Sequence, residues 1–182
     1  MATPINEAVL SQKTEEIFGN AYAKFAAEGD PPQATPFRIW LLENPNSPLR
    51  FPGRIHLREH DYLHILLDQD VSLSGEAFVI GFTMGNDPST RQYHVSIFKF
   101  AAKYLYPKGY NFSEENLFFF DCGFKFGQQT KTKYLNRFDY TSYLNCSISV
   151  VQKKLGIDIE GIQGFFKSLE DASIVNHPAP TT

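Results

Sequence analysis

The chain has 182 residues, of which 42% are hydrophobic and 20% are charged, and its formal net charge is −3. This length fits one domain with a sizeable core, and the balance is too apolar for a disordered chain. A mildly acidic sequence pI of about 5.9, with no cluster of lysine and arginine, argues against a nucleic-acid partner.

The hydrophobic pattern predicts helices along most of the chain. The N-terminal helix is followed by turns rich in proline, glycine and asparagine, which separate it from the later helices. The predicted helices cover residues 6–27, 37–43, 52–68, 72–84, 91–106, 134–155 and 159–171.

Several residues mark where these elements begin and end. Asp70 or Ser72 is the expected N-cap of the helix 72–84, Ser113 begins a further element, and Gly156 ends the helix 134–155. The phenylalanine-rich segment 114–129 fits either a helix or a strand by periodicity. We therefore predict an all-α, single-domain helical bundle over residues 1–182, with segment 114–129 open and a flexible tail at 176–182.

The chain shows no signal for export or for crossing a membrane. The N-terminus lacks a basic start and an apolar stretch, and no run of about 18 apolar residues occurs. Cys122 and Cys146 lie far apart and predict neither a disulfide framework nor a metal-binding pair. We expect a cytoplasmic protein, with peripheral contact at the inner face of a membrane as the alternative.

A group of polar residues lies on and after the helix 52–68. His60 and His64 are four residues apart, so a helix places both imidazoles on one face, and Asp61 borders that face. Glu76 follows a short turn, and Gly75 beside it is expected to let two helix backbones approach closely. The pattern predicts either a divalent metal site with all four residues as ligands or a buried, fully hydrogen-bonded polar network.

The spacing of this group carries a resemblance. The residues His60-Asp61-Tyr62-Leu63-His64, eleven further residues and then Glu76 match the pattern His-Asp-x-x-His-x(11)-Glu. In this the chain resembles the coenzyme Q biosynthesis protein four family, over about residues 51–84 and again near 155–157. The resemblance implies an all-α fold, membrane association without a membrane span, and a metal site at the motif that is usually described as zinc.

The same resemblance implies a function. Members of that family act on the polyprenylated benzenoid precursor of ubiquinone, where they are implicated in oxidative loss of the ring C1 carboxyl, and they organise neighbouring enzymes of quinone biosynthesis. Zinc would act only as a Lewis acid, whereas two histidines and a carboxylate also form the ligand set of non-haem iron oxygenases. Magnesium would need more oxygen ligands. Asp61 and Glu76 are the candidate catalytic residues, and Glu76 is either a ligand or a general base.

Residues that could hold such a substrate are predicted on both sides of the motif. Arg54 and Arg58 project near Asp61 if residues 52–68 are helical, and they would bind an anionic group or else form an ion pair with Asp61 or Glu59. Apolar side chains offer a groove for an isoprenoid tail, or alternatively fill the core. The groove candidates are Phe78, Phe82, Ile97, Phe98, Phe100, Leu105 and residues 118–120.

Three functions follow from these alternatives. The leading interpretation is an enzyme that carries out a metal-dependent step on a prenylated hydroxybenzoate-type ring. The second is a protein that binds an isoprenoid lipid or serves as a scaffold without its own catalysis. The third is a structural domain whose polar group holds two helices together. A homodimer is compatible with each of them.

Overall fold

The computed structural model describes residues 15–28, 52–106 and 108–176. These residues form α-helices without a β-sheet, which confirms the all-α prediction, and the segment left open between helix and strand is a helix. The α-helices are α1 (Phe18–Glu28), α2 (Leu57–Leu66), α3 (Leu73–Asn86), α4 (Gln92–Tyr104), α5 (Glu114–Gln129), α6 (Ile148–Leu155) and α7 (Ile159–Asn176).

The two helices α3 and α5 form the centre of the fold, and their backbones touch. Each contributes two glycines with a spacing of four residues: Gly81 and Gly85 on α3, and Gly123 and Gly127 on α5. A Cβ atom built at any of the four would lie 2.0–2.1 Å from a carbonyl oxygen of the facing helix. Only a residue without a side chain permits this approach. Helix α3 is buried continuously from Gly75 to Asn86, which explains why its sequence is apolar on all sides.

Hydrophobic side chains pack on both sides of this helix pair. One cluster joins α1, α2, α6 and α7 to α3, with Phe18, Leu63 and Phe82 fully buried. The other joins α4 to α5, where the rings of Phe98 and Phe120 stack with centroids 4.8 Å apart. Many of the aromatic residues therefore fill the core.

Helix α2 is shorter than predicted, and its start at residue 52 is wrong. The helix begins at Leu57 because the preceding backbone groups bond elsewhere. Gly53 has φ +87° and donates its N–H to the Asp87 carboxylate at 3.0 Å, and the Arg54 carbonyl accepts from the Asn136 side chain at 2.8 Å. Residues 52–56 thus tie the start of α2 to the end of α3.

Three predicted helix boundaries are confirmed. The Ser72 hydroxyl accepts from the Gly75 N–H at 3.2 Å and caps α3, while the Asp70 carboxylate accepts from Ser72. Ser113 caps α5 in the same way, and Gly156 ends α6 with φ +70°. Gly75 has a different role from the predicted one, because its built Cβ would meet the Asp70 carbonyl oxygen at 2.2 Å. It allows the turn before α3 to close rather than two helices to approach.

The prediction of one helix over residues 134–155 is wrong. Only Ile148–Leu155 is α-helical, and short 3-10 turns at Leu135–Arg137 and Thr141–Tyr143 precede it. Side chains bond this backbone in place of a helix. Asn86 accepts from the Leu135 N–H at 2.8 Å and donates to the Thr132 carbonyl at 2.7 Å.

The remaining predicted elements are described in part. Helix α4 lies within the predicted range 91–106, and α7 extends to Asn176, five residues past its predicted end at 171. The predicted helix 37–43, the first residues of the helix 6–27 and residues 177–182 of the tail lie outside the described residues. In the described part of the chain, no helix is both long enough and apolar enough to span a bilayer.

Candidate metal centre

Three of the four predicted ligands meet in the interior. His60 and His64 lie one turn apart on α2, and Glu76 lies in the first turn of α3. His60 Nε2 is 3.4 Å from Glu76 Oε2, and His64 Nε2 is 3.4 Å from Glu76 Oε1. All three residues are buried, and one ligand atom from each lies within 4.8 Å of the others. This group can hold a metal ion.

The proton position on His64 follows from its second ring nitrogen. His64 Nδ1 lies 3.3 Å from the backbone carbonyl oxygen of Gln69, and a carbonyl oxygen can only accept. The neutral ring therefore carries its proton on Nδ1, and its Nε2 lone pair is directed at the Glu76 carboxylate. A lone pair that faces a carboxylate oxygen is a repulsive contact, which either a proton or a metal ion between the two atoms would relieve.

The nitrogen–oxygen separations in the group are longer than those of charge-assisted hydrogen bonds. A charge-assisted hydrogen bond between an imidazolium and a carboxylate would bring the heavy atoms to about 2.7–2.9 Å. Ligand atoms about 2.0–2.1 Å from a tetrahedral zinc ion lie about 3.3–3.4 Å apart. The two nitrogen–oxygen separations of 3.4 Å lie near the second distance, but each involves a different oxygen of Glu76, so binding through one oxygen would require the side chains to shift.

The helix ends favour the same charge arrangement. His64 lies in the last turn of α2, where the partial negative charge of a helix C-terminus attracts a cation. Glu76 lies in the first turn of α3, where the partial positive charge of an N-terminus stabilises a carboxylate. An ionised Glu76 and a cation between the helices are therefore compatible with both helix dipoles.

Asp61 lies beside this group rather than within it. Its Oδ1 is 4.0 Å from His60 Nδ1, which is the ring nitrogen on the opposite side from Glu76, and its side chain is partly exposed. Asp61 also lines an open depression of about 430 Å³, together with Tyr22, His56, Leu57 and Arg58 among others. Asp61 therefore lies between His60 and this depression, which none of the three buried residues lines.

The two arginines occupy different places. Arg58 donates to the Glu59 carboxylate from Nε at 3.1 Å and from Nη2 at 2.9 Å, and this hydrogen bond raises the pKa of Arg58. This is the ion pair that the sequence offered as the alternative to ligand binding. Arg54 is exposed and precedes α2, so it does not share a helix face with Arg58.

The predicted groove residues divide between core and surface. Phe78, Phe82 and Phe98 are fully or almost fully buried, and Phe78 packs against Phe126 and Phe166. A ligand could reach these rings only by displacing core side chains. The exposed members are Phe118 on α5 and, on or just after α4, Ile97, Phe100 and Leu105, with Tyr93 and Tyr104 exposed beside them. Phe119 is partly buried and Phe120 is fully buried.

The sequence did not identify two supports of the site. One is the Gln69 carbonyl oxygen, which the sequence cannot single out because every residue has a backbone carbonyl. The other is Asp87, whose carboxylate accepts from Gly53 at 3.0 Å and from the Ser89 N–H at 2.9 Å and so links the start of α2 to the end of α3. The run Gly85-Asn86-Asp87-Pro88 predicted only the end of a helix, and the contact of Asp87 with Gly53 was not predicted because Gly53 is 34 positions away.

Comparison of the chain with protein-family models, with curated proteins and with solved structures finds no match.

Proposed function

We propose that this protein binds a divalent metal ion, zinc in the first place, through His60, His64 and Glu76. We further propose that it acts at this site on the polyprenylated benzenoid precursor of ubiquinone, in the oxidative loss of the ring C1 carboxyl. The second part rests on the resemblance to the coenzyme Q biosynthesis protein four family. The first part rests on the buried group itself.

The observation that carries the proposal is the His64 Nε2 lone pair directed at the Glu76 carboxylate in a buried site. A structural polar network would close this contact as a hydrogen bond, and a 3.4 Å separation is too long for a strong one. Three protein ligands with one position open is the common arrangement of catalytic zinc. The same two histidines and one carboxylate also suit ferrous iron, and magnesium fits least because two of the three ligands are nitrogen.

The bound metal would supply Lewis-acid polarisation of an oxygen on the ring or on its carboxyl group. Glu76 would hold the ion, and its burial keeps water from competing for the same carboxylate. Asp61 lies beside His60 and lines the depression, so it would accept or return a proton at the surface next to the metal group. Arg58 at the same depression would contribute positive charge only after separating from Glu59.

A second candidate function is that of an isoprenoid-lipid-binding or scaffold protein without its own catalysis. It is favoured by the exposed row on α4, in which Tyr93, Ile97, Phe100 and Tyr104 follow one another at spacings of three and four residues. A surface row of this kind is typical of interaction sites. It lies on a different helix from the metal group, so the two functions can be tested separately.

The first experiment is metal analysis by plasma mass spectrometry of the wild type, His64→Ala and His56→Ala. His56 is an exposed histidine at the start of α2 that makes no capping bond with its side chain, and it serves as the matched control. We expect about one equivalent of metal in the wild type and in His56→Ala, and none in His64→Ala. Wild-type protein that binds no metal after reconstitution would refute the proposal.

The second experiment separates the enzyme from the binder. Protein loaded with zinc or with ferrous iron is incubated with a prenylated hydroxybenzoate, dioxygen and a two-electron reductant, which reduces the second oxygen atom to water. The loss of the C1 carboxyl is followed as labelled carbon dioxide. Turnover that is abolished in Glu76→Gln supports the enzyme. Lipid that co-purifies with a protein incapable of turnover, and that is identified by mass spectrometry, supports the binding function.

A further inference from the structure

We infer that Gln163 on α7 is a positioning residue of the metal centre, and that it acts on His64 through Asp68 and the Gln69 carbonyl. The inference rests on the proposed metal site for its functional meaning. It concerns a different helix, and none of the site residues predicted from the sequence lies on that helix.

The contacts form one continuous path. Gln163 Nε2 donates to Asp68 Oδ2 at 3.1 Å, and Asp68 directly precedes Gln69. The Gln69 carbonyl accepts from His64 Nδ1 at 3.3 Å, while the Gln69 N–H donates to the His64 carbonyl at 2.9 Å. His64 is therefore held by Gln69 at both its backbone and its ring.

The turn that makes this possible is unusual in its sequence. The bonds from Gln69 N–H to the His64 carbonyl, and from Asp68 N–H to the Ile65 carbonyl at 3.2 Å, form the Schellman pattern at the end of α2. The residue that must be left-handed in this pattern is usually glycine, and here Asp68 occupies it with φ +54°. A residue with a Cβ atom disfavours that conformation. The hydrogen bond from Gln163 compensates by holding the Asp68 side chain.

Two other glutamines hold neighbouring carbonyls at the same helix end. The Gln69 side chain donates to the carbonyls of Leu67 at 3.0 Å and of Asp68 at 3.1 Å. Gln152 on α6 donates to the Leu66 carbonyl at 2.9 Å. These bonds hold backbone carbonyls at the end of α2 and just beyond it, whereas Gln163 bonds to the side chain of the left-handed residue.

The consequence for the site is a fixed ring proton. While the Gln69 carbonyl accepts from Nδ1, the Nε2 atom of His64 keeps its lone pair toward Glu76 and can bind a metal without rearrangement. If the turn relaxes, the ring is free to carry its proton on Nε2, which then cannot act as a ligand. Gln163 thus keeps the Nε2 atom of His64 available for metal binding, although Gln163 is not itself a ligand.

The test compares Gln163→Leu with Gln129→Leu in the full chain. Gln129 is an exposed glutamine at the end of α5, so its replacement controls for the loss of an amide group. The first measurement is the tautomer of His64 in metal-free protein, from long-range proton–nitrogen correlation spectra. The second is the affinity for Zn²⁺ by competition with a chelating dye, together with the visible spectrum of the Co²⁺-loaded protein.

We expect the Nδ1–H tautomer in the wild type and in Gln129→Leu, and a mixture containing Nε2–H in Gln163→Leu. The affinity for Zn²⁺ should fall roughly tenfold in Gln163→Leu, as for other outer partners of metal ligands, and the Co²⁺ spectrum should shift. The double variant Asp68→Asn, Gln163→Glu exchanges donor and acceptor at this contact and should restore both readouts.

Three results would overturn the inference. They are an Nε2–H tautomer in the wild type, a folded Gln163→Leu protein with unchanged tautomer and affinity, or a double variant that stays as impaired as the single one. If Gln163→Leu does not fold, Gln163→Asn, which is too short for the same contact, replaces it with the same expectations. A wild type that binds no metal would refute the proposed function, and the tautomer would still decide whether Gln163 positions the His64 ring.

Discussion

At the residue scale, the site depends on which atoms of the histidines face the carboxylate. The two Nε2 atoms are directed at different oxygens of Glu76, and both separations are 3.4 Å. Each carboxylate oxygen thus faces its own imidazole, at a separation longer than that of a charge-assisted hydrogen bond. A buried arrangement of this kind lowers the stability of the metal-free protein and enables the group to bind an ion.

Glu76→Gln tests both effects directly. The amide group can donate to the Nε2 lone pair of His64, so the metal-free variant should be at least as stable as the metal-free wild type. Its affinity for Zn²⁺ should fall more than roughly 100-fold, because a charged ligand is removed. The loss of a residue that only contacts a ligand costs up to about that factor. Isothermal titration gives the affinity, and urea unfolding in the presence of a chelator gives the stability. Unchanged affinity would exclude Glu76 as a ligand.

Asp87 provides a second prediction at this scale. Burial by itself would raise the pKa of Asp87, but hydrogen bonds from the side chain and backbone of Ser89 and from the backbone of Gly53 lower it below its ordinary value. Asp87→Asn places an amide donor near the Gly53 N–H and should lower the free energy of unfolding by about 1–3 kcal/mol at pH 7.

The pH dependence of that difference has a definite sign. A carboxyl group whose pKa is lower in the folded protein contributes stability above its unfolded pKa, near 3.9, and the contribution is lost as the pH falls through the folded value. The difference in the free energy of unfolding between wild type and Asp87→Asn should therefore be largest at pH 6–7 and should shrink below about pH 4. Urea unfolding at pH 7 and at pH 3 measures it, and a gap that widens at pH 3 would contradict the assignment.

At the element scale, the backbone contact of α3 with α5 determines where Glu76 lies. The four glycines bring the helices together, and α3 then presents its first turn to the histidines of α2. Phe78 and Phe82 alternate with these glycines and fill the core on the side of α2, which is why they are unsuited to line a groove.

A pair of matched substitutions tests this contact. Gly123→Ala would place a Cβ atom 2.0 Å from the Phe78 carbonyl oxygen, so the helices must separate and the protein should lose about 1–3 kcal/mol of stability. Gly164→Ala on α7 meets nothing within 4 Å and should gain roughly 0.5–1 kcal/mol from the better helix propensity of alanine. Urea unfolding of both variants gives the comparison. Equal effects at the two positions would mean that the close approach of α3 and α5 contributes little.

At the scale of the whole molecule, the metal would join α2 and α3, which are also connected by a turn, by the hydrogen bond from Gly53 to Asp87 and by their shared hydrophobic cluster. Because an ion that binds only the folded state stabilises it, metal removal should lower the free energy of unfolding. The loss should be about 2.7 kcal/mol when the wild type is compared with and without free Zn²⁺ at 100 times the dissociation constant. His64→Ala should show no such difference, and thermal unfolding with and without a chelator measures both proteins. A wild type that responds no more than His64→Ala would argue against binding at this group.

The sequence by itself determined the features that depend on local spacing. A separation of four residues placed His60 and His64 on one helix face, and the caps Ser72 and Ser113 and the terminating Gly156 marked helix ends. These follow from helix geometry and from side-chain bonds to the nearest backbone groups, which span a few residues. The all-α class follows from the same periodicity.

Only the tertiary structure decided the features that depend on distant partners. Asn86 and Asn136 bond to backbone groups 49 and 82 positions away, and these contacts replaced predicted helix with turns around residues 134–143 and 52–56. The direction of each imidazole nitrogen, the position of Asp61 beside the group and the burial of Phe78 also depend on packing between helices. A pattern read along the chain determines which face of its own helix a side chain occupies, but what that face meets depends on residues far away in the sequence.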